Sequence, residues 1–496
     1  MRPARHVNGD LVATLETPLP KALPAGGASA AFCYGACFHR REAVAELAIV
    51  VDGARHRPAA AGMPRVDVVA RDGDPRGYRS GYWGTVPVVA RAPGEDIELS
   101  LAVRLASGAE LVAQLGRITV VGRAPARARE PGLIAVCMAT YEPDLALFRA
   151  QIASLRAQTD RDWVCVISDD GSSRERFDAL AAVVADDPRF TVVRSELRRG
   201  FYRNFERALE LAPPEAGLLA LCDQDDRWHP EKLAVLRAAL GDAQLVYSDQ
   251  RLVAADGRVL RGTLWQGRRN NHSDLTSMLV ANTITGAATL FRRDVAERAL
   301  PFPETPGLQF HDHWIALVAL ASGEVAYVHR PLYDYVQHAG AFFGDVTHGG
   351  RGARERLGGL VRGGRGARER LRGLVRGGRG AYFRGYLARE VQARVLLARC
   401  GDVLTPRKRR ALERFVAADG SLLALARLGL RPLRILGGRT ETLGSESGLV
   451  RGLVWRRLVG VLAAGARTPG RRPLDTSLPD LLSFQQERLR RWRARV

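Results

Sequence analysis

Five residues that follow an apolar run carry the strongest chemical signal in the chain. The run 217–221 predicts a buried strand and leads into the pentad 222–226, which contains Asp223, Asp225 and Asp226. Open α/β sheets bind ligands at the carboxyl ends of such strands, where three crowded carboxylates repel one another unless a cation lies between them. Asp223 and Asp225 can both face one cation, and Mg²⁺ or Mn²⁺ suits an oxygen site beside a substrate phosphate. The alternative is a solvated acidic loop that caps the next helix.

Another predicted strand, Leu133–Met138, also ends in polar side chains. Thr140 and Glu142 follow it, with Tyr141 between them, and Pro143 is placed to start the next helix. The carboxyl end of this strand belongs to the same ligand edge of the sheet. We therefore expect Thr140, Tyr141 and Glu142 to take part in binding a substrate.

A third predicted strand, Trp163–Ile167, leads into the acidic and hydroxyl-bearing segment 168–173. The glycine in this segment permits a tight turn, and one of its serines can cap the following helix. One carboxylate of Asp169 and Asp170 is then left free to accept a hydrogen bond, for example from the imide N–H of uracil or thymine. Three strand ends of one predicted sheet thus carry acids or hydroxyls.

His311, Asp312, His313 and Trp314 precede an apolar stretch, 315–321, that predicts a helix. One interpretation is that Asp312 only caps this helix, since the helix dipole favours a carboxylate there. A second is a zinc site made by Asp312 and the two histidines, although the spacing matches known zinc ligands poorly. The third is that Asp312 is a general base, with the histidines and Trp314 around the substrate.

The elements that must position these residues alternate along residues 132–345. Apolar runs predict strands and the stretches between them predict helices, which is the pattern of βαβ units in a mostly parallel sheet. His338 follows the last predicted strand and offers a hydrogen-bond donor to a phosphate or a sugar hydroxyl. The further predicted elements are the helices Leu145–Leu155, Arg174–Val184 and Tyr202–Leu211 and the strands Phe190–Val193, Leu218–Cys222 and Val325–His329.

Residues 1–122 have the short apolar runs and the Gly, Pro and Asp turns of a small β-sandwich. An aromatic segment in this part, Tyr78–Gly84, allows two interpretations: exposed rings that stack on sugars, or a core position for Trp83. A polar, proline-bearing linker, 123–131, follows. The predicted strands of the sandwich include Leu47–Val51, Val66–Ala70, Ile97–Val103 and Ile118–Val121.

The positive charge of the chain is concentrated at its C-terminal end. Residues 1–350 carry 40 basic and 42 acidic side chains, whereas residues 351–496 carry 34 and 11. The Arg/Gly-rich linker 346–380 contains a repeat that recurs after fourteen residues; either an anionic membrane surface orders it or it is a solvated, low-complexity segment. We expect 381–496 to be a basic, membrane-associating helical region. Its predicted helices are Tyr382–Cys400, Pro406–Ala418, Ser421–Leu428 and Leu449–Leu462.

Composition and targeting signals predict a location. The six cysteines lack the spacing of a zinc site or a disulfide framework, which suits a reducing cytoplasm. Neither a signal-peptide core nor an uncharged apolar stretch of about 20 residues is present. We expect a cytoplasmic protein that lies peripherally on the inner face of the plasma membrane. The basic tail lacks the interleaved aromatics of a base-stacking platform, so no nucleic-acid partner is expected.

Taken in order, the motifs resemble those of family 2 glycosyltransferases with a GT-A fold. They are most similar to the rhamnosyltransferase-type branch, whose acidic motif often reads DQDD followed by an aromatic residue. The resemblance covers roughly residues 132–345 and implies an α/β fold, with a Rossmann-like GT-A core between an N-terminal β-sandwich and a C-terminal helical region. The motifs are ATYEP (139–143), SDDGSS (168–173), LCDQDDRW (221–228), NTITGA (282–287), HDHW (311–314) and YVQH (335–338).

The resemblance implies inverting transfer of a sugar, rhamnose in that branch, from a nucleotide-diphosphate donor to a hydroxyl of a lipid-linked or cell-envelope glycan. It implies that Asp312 is the base. It also implies that Asp223 and Asp225 bind the donor through its ribose, its diphosphate and Mg²⁺ or Mn²⁺. One departure is His311, which stands where the family usually has an acid. A catalytically inactive glycan-binding protein is the alternative, but the three acids of the reaction are all present. The candidate substrate-binding residues are Thr140, Tyr141, Glu142, Asp169, Asp170, Asn204, Asp223, Gln224, Gly286, His311, His313, Trp314 and His338.

Overall fold

The N-terminal part of the chain consists mainly of strands, as its turn-rich sequence predicts. The computed structural model describes residues 4–122, 128–265, 269–307, 309–338, 377–465 and 475–477. Its first ten strands are β1 (Ala4–Asn8), β2 (Leu11–Leu15), β3 (Ala22–Pro24), β4 (Ala28–His39), β5 (Val44–Val51), β6 (Ala54–His56), β7 (Ala60–Met63), β8 (Gly81–Val89), β9 (Ile97–Leu105) and β10 (Glu110–Val121). They form two sheets, ordered β1-β2-β4-β8-β7 and β3-β10-β9-β5-β6. Apolar side chains from both sheets pack between them, which makes a β-sandwich.

One predicted strand of the sandwich, 66–70, is wrong: it is part of helix α1 (Val66–Asp72). Asp67 lies in the first turn, where the helix dipole favours a carboxylate. Gly73 ends the helix in the left-handed conformation (φ 69°), and its N–H donates to the carbonyl of Val69. The valines favoured a strand, but the signals at both ends of the segment favour the helix.

The aromatic segment 78–84 is buried, so the interpretation that its rings are exposed to bind sugars is wrong. Tyr82 and Trp83 have no solvent exposure. The indole N–H of Trp83 donates to the Tyr382 hydroxyl at 3.1 Å, and its ring centroid lies 5.2 Å from that of Phe383. Trp83 therefore packs the sandwich against the C-terminal region.

We expect Trp83→Ala to lower the free energy of unfolding by about 3–5 kcal/mol, because it removes a large buried side chain at the junction between two parts of the chain. Denaturant unfolding monitored by circular dichroism measures this. Val112→Ala, in a side chain that is 56% exposed on β10, is the control and should change the value by less than about 0.5 kcal/mol. Equal effects of the two substitutions would contradict the packing role of Trp83.

The middle of the chain alternates strands and helices around one large sheet. Its elements are β11 (Glu130–Thr140), α2 (Leu145–Arg156), β12 (Trp163–Asp169), α3 (Arg174–Val184), β13 (Phe190–Arg194), α4 (Phe201–Leu211), β14 (Ala216–Cys222), β15 (Arg227–Trp228), α5 (Lys232–Leu240), β16 (Leu245–Ala254), β17 (Val259–Arg261), α6 (Leu275–Val280), β18 (Thr289–Arg292), α7 (Arg293–Ala299), α8 (His311–Ser322) and β19 (Val325–Gln337). The strand order is β13-β12-β11-β14-β18-β16-β19-β15, with β17 paired to β16. The first four strands are parallel, and β18 is antiparallel to both its neighbours. The predicted α/β fold is confirmed, and the parallel half carries three of the six motifs.

Parallel pairing brings the polar strand ends to one edge of the sheet. Thr140 lies opposite Asp169 in the register of β11 and β12, and Met138 lies opposite Cys222 in that of β11 and β14. The apolar residues 134–138 of β11 are fully buried, which fixes this register because a slip would expose them. The three predicted motif segments are therefore neighbours. The strand β19 is longer than predicted, so Tyr335 lies within it.

The C-terminal helices pack onto the large sheet and the sandwich. A π-helical stretch, Ala381–Leu387, leads into α9 (Ala388–Arg399), α10 (Pro406–Val416), α11 (Leu422–Leu430) and α12 (Glu446–Gly465). Buried aromatic side chains of this region belong to the same apolar core as the sheet, so the inner faces of its helices pack against the rest of the protein. Among the helices of the described ranges, none is long and apolar enough to cross a membrane. The Arg/Gly-rich linker lies, as far as residue 376, outside the described residues.

Candidate active site

The carboxylates of Asp169 and Asp170 point toward protein donors. Asp169 accepts hydrogen bonds from the hydroxyls of Thr140 (3.1 Å) and Ser172 (2.5 Å). Asp170 accepts from the two backbone N–H groups of residues 199–200 at 2.7 and 2.8 Å, directly before α4. Neither carboxylate is without a protein partner, so a base bound here would share the remaining acceptor sites of Asp169 or Asp170. Both fix the turns that follow β12 and β13, because each ties a loop to a strand end.

Two amide side chains tie the strand ends together. Asn204, buried in α4, donates to the carbonyls of Thr140 (3.2 Å) and Ser168 (2.8 Å). Gln224 of the pentad accepts from the N–H of Tyr141 at 2.9 Å and donates to its carbonyl at 3.4 Å. The end of β11 is thus held both to α4 and to the pentad, and Asn204 acts by positioning this strand end.

Tyr141 and Glu142 directly follow β11 and are at least partly exposed to solvent. The Tyr141 ring stacks under the guanidinium of Arg198, whose carbon lies 3.8 Å from the ring centroid. Glu142 has a left-handed backbone (φ 42°), and its exposed carboxylate accepts from the N–H of Ser173 at the start of α3 at 2.6 Å. Strained backbone of this kind concentrates at functional sites. Tyr141 and Glu142 therefore remain candidates for contact with a nucleoside.

Asp312 lies within electrostatic range of Asp223 although the two are distant in sequence, and we call the site of Asp223, Asp225 and Asp312 the cleft. Asp223 and Asp225 follow β14, and Asp312 lies in the first turn of α8. Burial, together with the charges of Asp225 and Asp312, raises the pKa of Asp223 to about 7. Burial also raises the pKa of Asp312 to about 7, although backbone N–H groups near its carboxylate oppose the shift. Asp223 and Asp312, which the sequence predicted to act together, are thus close enough to interact electrostatically.

His338 and Asp226 lie next to these acids. His338 Nε2 is 2.9 Å from Asp225 Oδ2, and this hydrogen bond raises the pKa of His338. Asp226 is fully buried; one of its oxygens accepts from the N–H of Val336, and the other has no hydrogen-bond partner among the described residues. Burial and the charges of Asp223 and Asp225 raise the pKa of Asp226. The crowding of these acids thus favours their protonated forms unless a cation lies among them.

A buried lysine beneath the pentad was not predicted from the sequence. Lys232, in α5, has no solvent exposure, and its ammonium lies 3.2 Å from the ring centroid of Trp228 and 4.8 Å from that of Tyr333. It also donates to the carbonyl of Ala287. Its positive charge lowers the pKa of Asp223, while burial lowers its own pKa. When protonated, Lys232 therefore favours the ionised form of the acids next to it.

His311 is the first residue of α8 and directly precedes Asp312. Its ring stacks on Phe205 with centroids 3.6 Å apart, and neither ring nitrogen has a hydrogen-bond partner within the described ranges. Burial lowers the pKa of His311 to about 3, so the imidazole is neutral at physiological pH. A neutral, unpartnered imidazole next to Asp312 can donate to or accept from a substrate hydroxyl.

His313 and Trp314 point away from the cleft. His313 Nε2 is 2.8 Å from the carbonyl of Met278 at the back of α8, and burial lowers its pKa to about 4. Trp314 has no exposure, and its N–H donates to the carbonyl of Ala299. The expectation that these two side chains contact substrate is therefore corrected: both pack α8. Because His313 binds the carbonyl of Met278, it is not available as the second histidine of the zinc site that the sequence allowed.

Gly286 allows the close approach of its loop to α8. A Cβ at this position would lie 2.8 Å from His311 Nε2 and 3.3 Å from Asp312 Cβ. We expect Gly286→Ala to lower kcat by about 10–100-fold, because misplacing a catalytic group by even 1 Å is costly. Steady-state kinetics measures this, and Gly262→Ala, which meets open space, is the control. Unchanged kinetics for Gly286→Ala would contradict the proximity of this loop to the reacting groups.

Asp223 and Asp225 are the residues suited to hold a divalent cation. No group of three or more His, Cys, Asp and Glu side chains within the described part of the chain is arranged to bind a metal ion by itself. Mg²⁺ often uses only one or two carboxylates and takes its other ligands from substrate phosphates and water. Two neighbouring acids, one with its pKa raised by the other's charge, fit that donor set.

Comparison with known proteins assigns a family to the middle of the chain. Residues 135–300 match the family model described as Glycosyl transferase family 2, so the chain contains a glycosyltransferase family 2 domain. Asp223, Asp225 and Gly286 lie inside the match, whereas Asp312 and His338 lie beyond its end. The uncharacterized protein y4gI of Sinorhizobium fredii (strain NBRC 101917 / NGR234) is 30% identical over 154 residues, 30% of this chain. The matched part spans only 16% of the length of that protein.

Two solved structures of S. aureus TarS 1-349 are also similar. The structure alone is 13% identical and covers 66% of this chain and 91% of that chain, with a TM-score of 0.36. The complex with UDP-GlcNAc is 14% identical and covers 66% and 92%, with a TM-score of 0.37. At this level of similarity no residue role is transferred to the present chain.

Proposed function

We propose that the protein is an inverting glycosyltransferase that moves a sugar from a nucleotide-diphosphate donor to a hydroxyl group. The observation that carries the proposal is the shared cleft of Asp223, Asp225 and Asp312, in and beside a glycosyltransferase family 2 domain. In this proposal Asp223 and Asp225 bind the donor, because they follow a strand end that can receive a diphosphate. Asp312, in the first turn of a helix, instead acts on the acceptor.

In this proposal the donor lies along the carboxyl ends of neighbouring strands. Tyr141 and Glu142 line the part of the edge where the nucleoside lies in this proposal, and Asp170 holds the turn behind them. Asp223 and Asp225 are the residues that would hold Mg²⁺ or Mn²⁺. When bound, the cation would supply Lewis-acid stabilisation of the negative charge that develops on the leaving phosphate. Gln224 keeps the pentad in register with Tyr141.

The reaction needs one proton acceptor. The acceptor hydroxyl gives its proton to the Asp312 carboxylate as its oxygen forms a bond to the anomeric carbon. The bond from that carbon to the diphosphate oxygen breaks in the same step, and its electron pair leaves with the nucleoside diphosphate. A single displacement inverts the anomeric centre, so no second carboxylate nucleophile is required.

The rate should depend on pH through Asp312. A base acts only when deprotonated, and burial raises the pKa of Asp312 to about 7, so kcat/KM is expected to rise about tenfold per pH unit below that value and to level off above it. His311 and His313 have pKa values lowered to about 3 and about 4 and do not titrate in this window, whereas Asp223, whose pKa is also raised to about 7, titrates alongside Asp312. A profile measured from pH 5 to 9 that stays flat would contradict the assignment of the base.

A panel of nucleotide sugars tests the proposal. The protein is incubated with UDP-, GDP- and dTDP-linked sugars and Mn²⁺ or Mg²⁺, and release of nucleoside diphosphate is measured. We propose rhamnose as the first sugar to test, because the pentad followed by Arg227 and Trp228 resembles the acidic motif of the rhamnosyltransferase branch. Turnover of one donor supports a transferase. Tight binding of a glycan with no turnover of any donor would instead support the glycan-binding alternative.

A further inference from the structure

One segment of the C-terminal region presents a row of leucines to solvent. Helix α11 continues into a 3₁₀-helix, Arg431–Gly437, and leucines along both elements are exposed. Residues three apart share one face of a 3₁₀-helix, so the last three of these leucines form one row. We call the set the leucine crest: Leu422 (74% exposed), Leu423 (61%), Leu430 (62%), Leu433 (51%) and Leu436 (78%). Large apolar side chains concentrated in this way mark an interaction surface.

The opposite face of the crest is firmly attached to the protein. Arg431 donates to the Ser277 hydroxyl at 2.7 Å and lies 3.5 Å from the buried Glu446 carboxylate. Arg434 pairs with Asp274 at 3.2 Å, at the cap of α6. Charge-assisted bonds of this kind are stronger than neutral ones. The leucines are therefore exposed on an anchored element, and their exposure is a property of the folded chain.

The charge around the crest indicates what covers it. The described residues 377–465 carry 17 basic and six acidic side chains, a net charge of +11. On α10 the exposed arginines 407, 410 and 414 are spaced by three and four residues and so share one helix face. Arg427 is exposed on α11 itself. An apolar row beside exposed arginines matches the boundary of a bilayer with anionic headgroups, which takes apolar groups and attracts cations.

The crest is also connected to the active site. Its anchor, Asp274, caps α6, and the carbonyl of Met278 in that helix binds the His313 ring. His313 follows Asp312 directly on α8. The proposed base thus lies two contacts away from the surface that carries the leucines.

We propose that the leucine crest inserts into the interface of an anionic membrane and holds the cleft at the bilayer surface, where a lipid-linked acceptor is found. The acceptor part of this inference rests on the proposed glycosyltransferase function, whereas the membrane contact does not. The six native cysteines are buried, so a cysteine placed at an exposed site is the one that a thiol reagent labels.

Full-length Leu433→Cys labelled with an environment-sensitive fluorophore provides the test, and Val112→Cys, at a similarly exposed position on the sandwich, is the control. The proteins are mixed with vesicles of phosphatidylcholine containing 30% phosphatidylglycerol, by analogy with an anionic leaflet, or with phosphatidylcholine alone. We expect a blue shift and a severalfold rise in emission for position 433 on anionic vesicles, a smaller change on neutral ones, and none for position 112.

A second variant keeps the test independent of labelling. The combined change Leu430→Ser, Leu433→Ser and Leu436→Ser should lower the vesicle partition coefficient at 0.5 M salt by at least about tenfold, since three leucine side chains no longer leave water. Donor turnover with a water-soluble acceptor should be unchanged. No emission change at position 433, or a change that depends on protein concentration without vesicles, would overturn the inference, the latter in favour of self-association. Because the vesicle assay contains no sugar nucleotide, it can fail while turnover succeeds, and the reverse.

Discussion

Replacing Asp312 with Asn is expected to lower kcat by about 10³-fold, within the 10²–10⁴-fold range of a general base. The Asn oxygen can still accept the N–H of His313, which Asp312 Oδ1 binds at 2.5 Å, so the start of α8 keeps its geometry. The amide cannot take a proton from the acceptor. Steady-state kinetics at pH 8 with saturating donor measures the effect, and KM for the donor should change little because Asp312 does not bind it.

The same substitution should not destabilise the fold. The pKa of Asp312 is raised to about 7 in the folded protein, so folding favours the protonated form and stability falls as pH rises from about 4 to about 7. Asn carries no charge to bury, so Asp312→Asn should unfold at an equal or higher temperature than the wild type at pH 8. A large loss of activity together with a retained melting temperature separates a chemical role from a structural one. Full activity of the variant would contradict the role of Asp312.

Asp225→Asn is expected to lower kcat/KM by about 10²–10³-fold, because the diphosphate loses a carboxylate that helps to hold the cation. Asp225 lies at the open side of the pentad and contacts His338. The variant should also need a higher Mn²⁺ concentration for half-maximal rate. Titration of the rate with Mn²⁺ measures both effects in one experiment.

An exposed acid of the same domain provides the matched control. Asp242→Asn removes one negative charge near the end of α5, outside the cleft, and should leave the rate and the Mn²⁺ requirement unchanged. If Asp225→Asn behaves as Asp242→Asn does, the assigned role of the pentad is wrong. His338→Gln, which loses a partner of Asp225 but no carboxylate, should give an intermediate loss.

The strand ends could be predicted because local sequence determines them. The apolar runs of β11, β12 and β14 are short, continuous and followed by polar residues, and parallel strands necessarily end at the same edge. Helix α3 begins and ends where its pattern indicates, at Arg174–Val184. The proximity of Asp312 to Asp223 was predicted through the family resemblance, and the structure places these two groups in electrostatic contact.

The direction in which each polar side chain points could not be predicted. In the sequence, either Asp169 or Asp170 could be the carboxylate that binds a ligand. In the structure, both accept hydrogen bonds from hydroxyl or N–H groups of the protein. Lys232 is the clearest omission. A lysine near an acidic motif is ordinarily solvated, and its aromatic surroundings depend on Tyr333, which comes from a strand far along the chain.

The C-terminal region illustrates a second limit of sequence reasoning. Its arginines and leucines indicated a surface-lying segment, yet the inner faces of its helices join the core through Tyr382, Phe383 and Trp455. Composition reports the average character of a helix, whereas tertiary contacts decide which face is buried. Among the described residues of this region, the leucine crest keeps the exposure that the composition suggested, as do Val403, Val461 and Leu462.

Anomalous diffraction from crystals grown with Mn²⁺ and the nucleoside diphosphate of the active donor tests the central claim most directly. If acids from separate strand ends form one donor site, a single manganese peak should lie between the carboxylates of Asp223 and Asp225 and the diphosphate, on the side that faces Asp312. Binding of the diphosphate at another place on the molecule, with the cleft between the pentad and α8 empty, would contradict it.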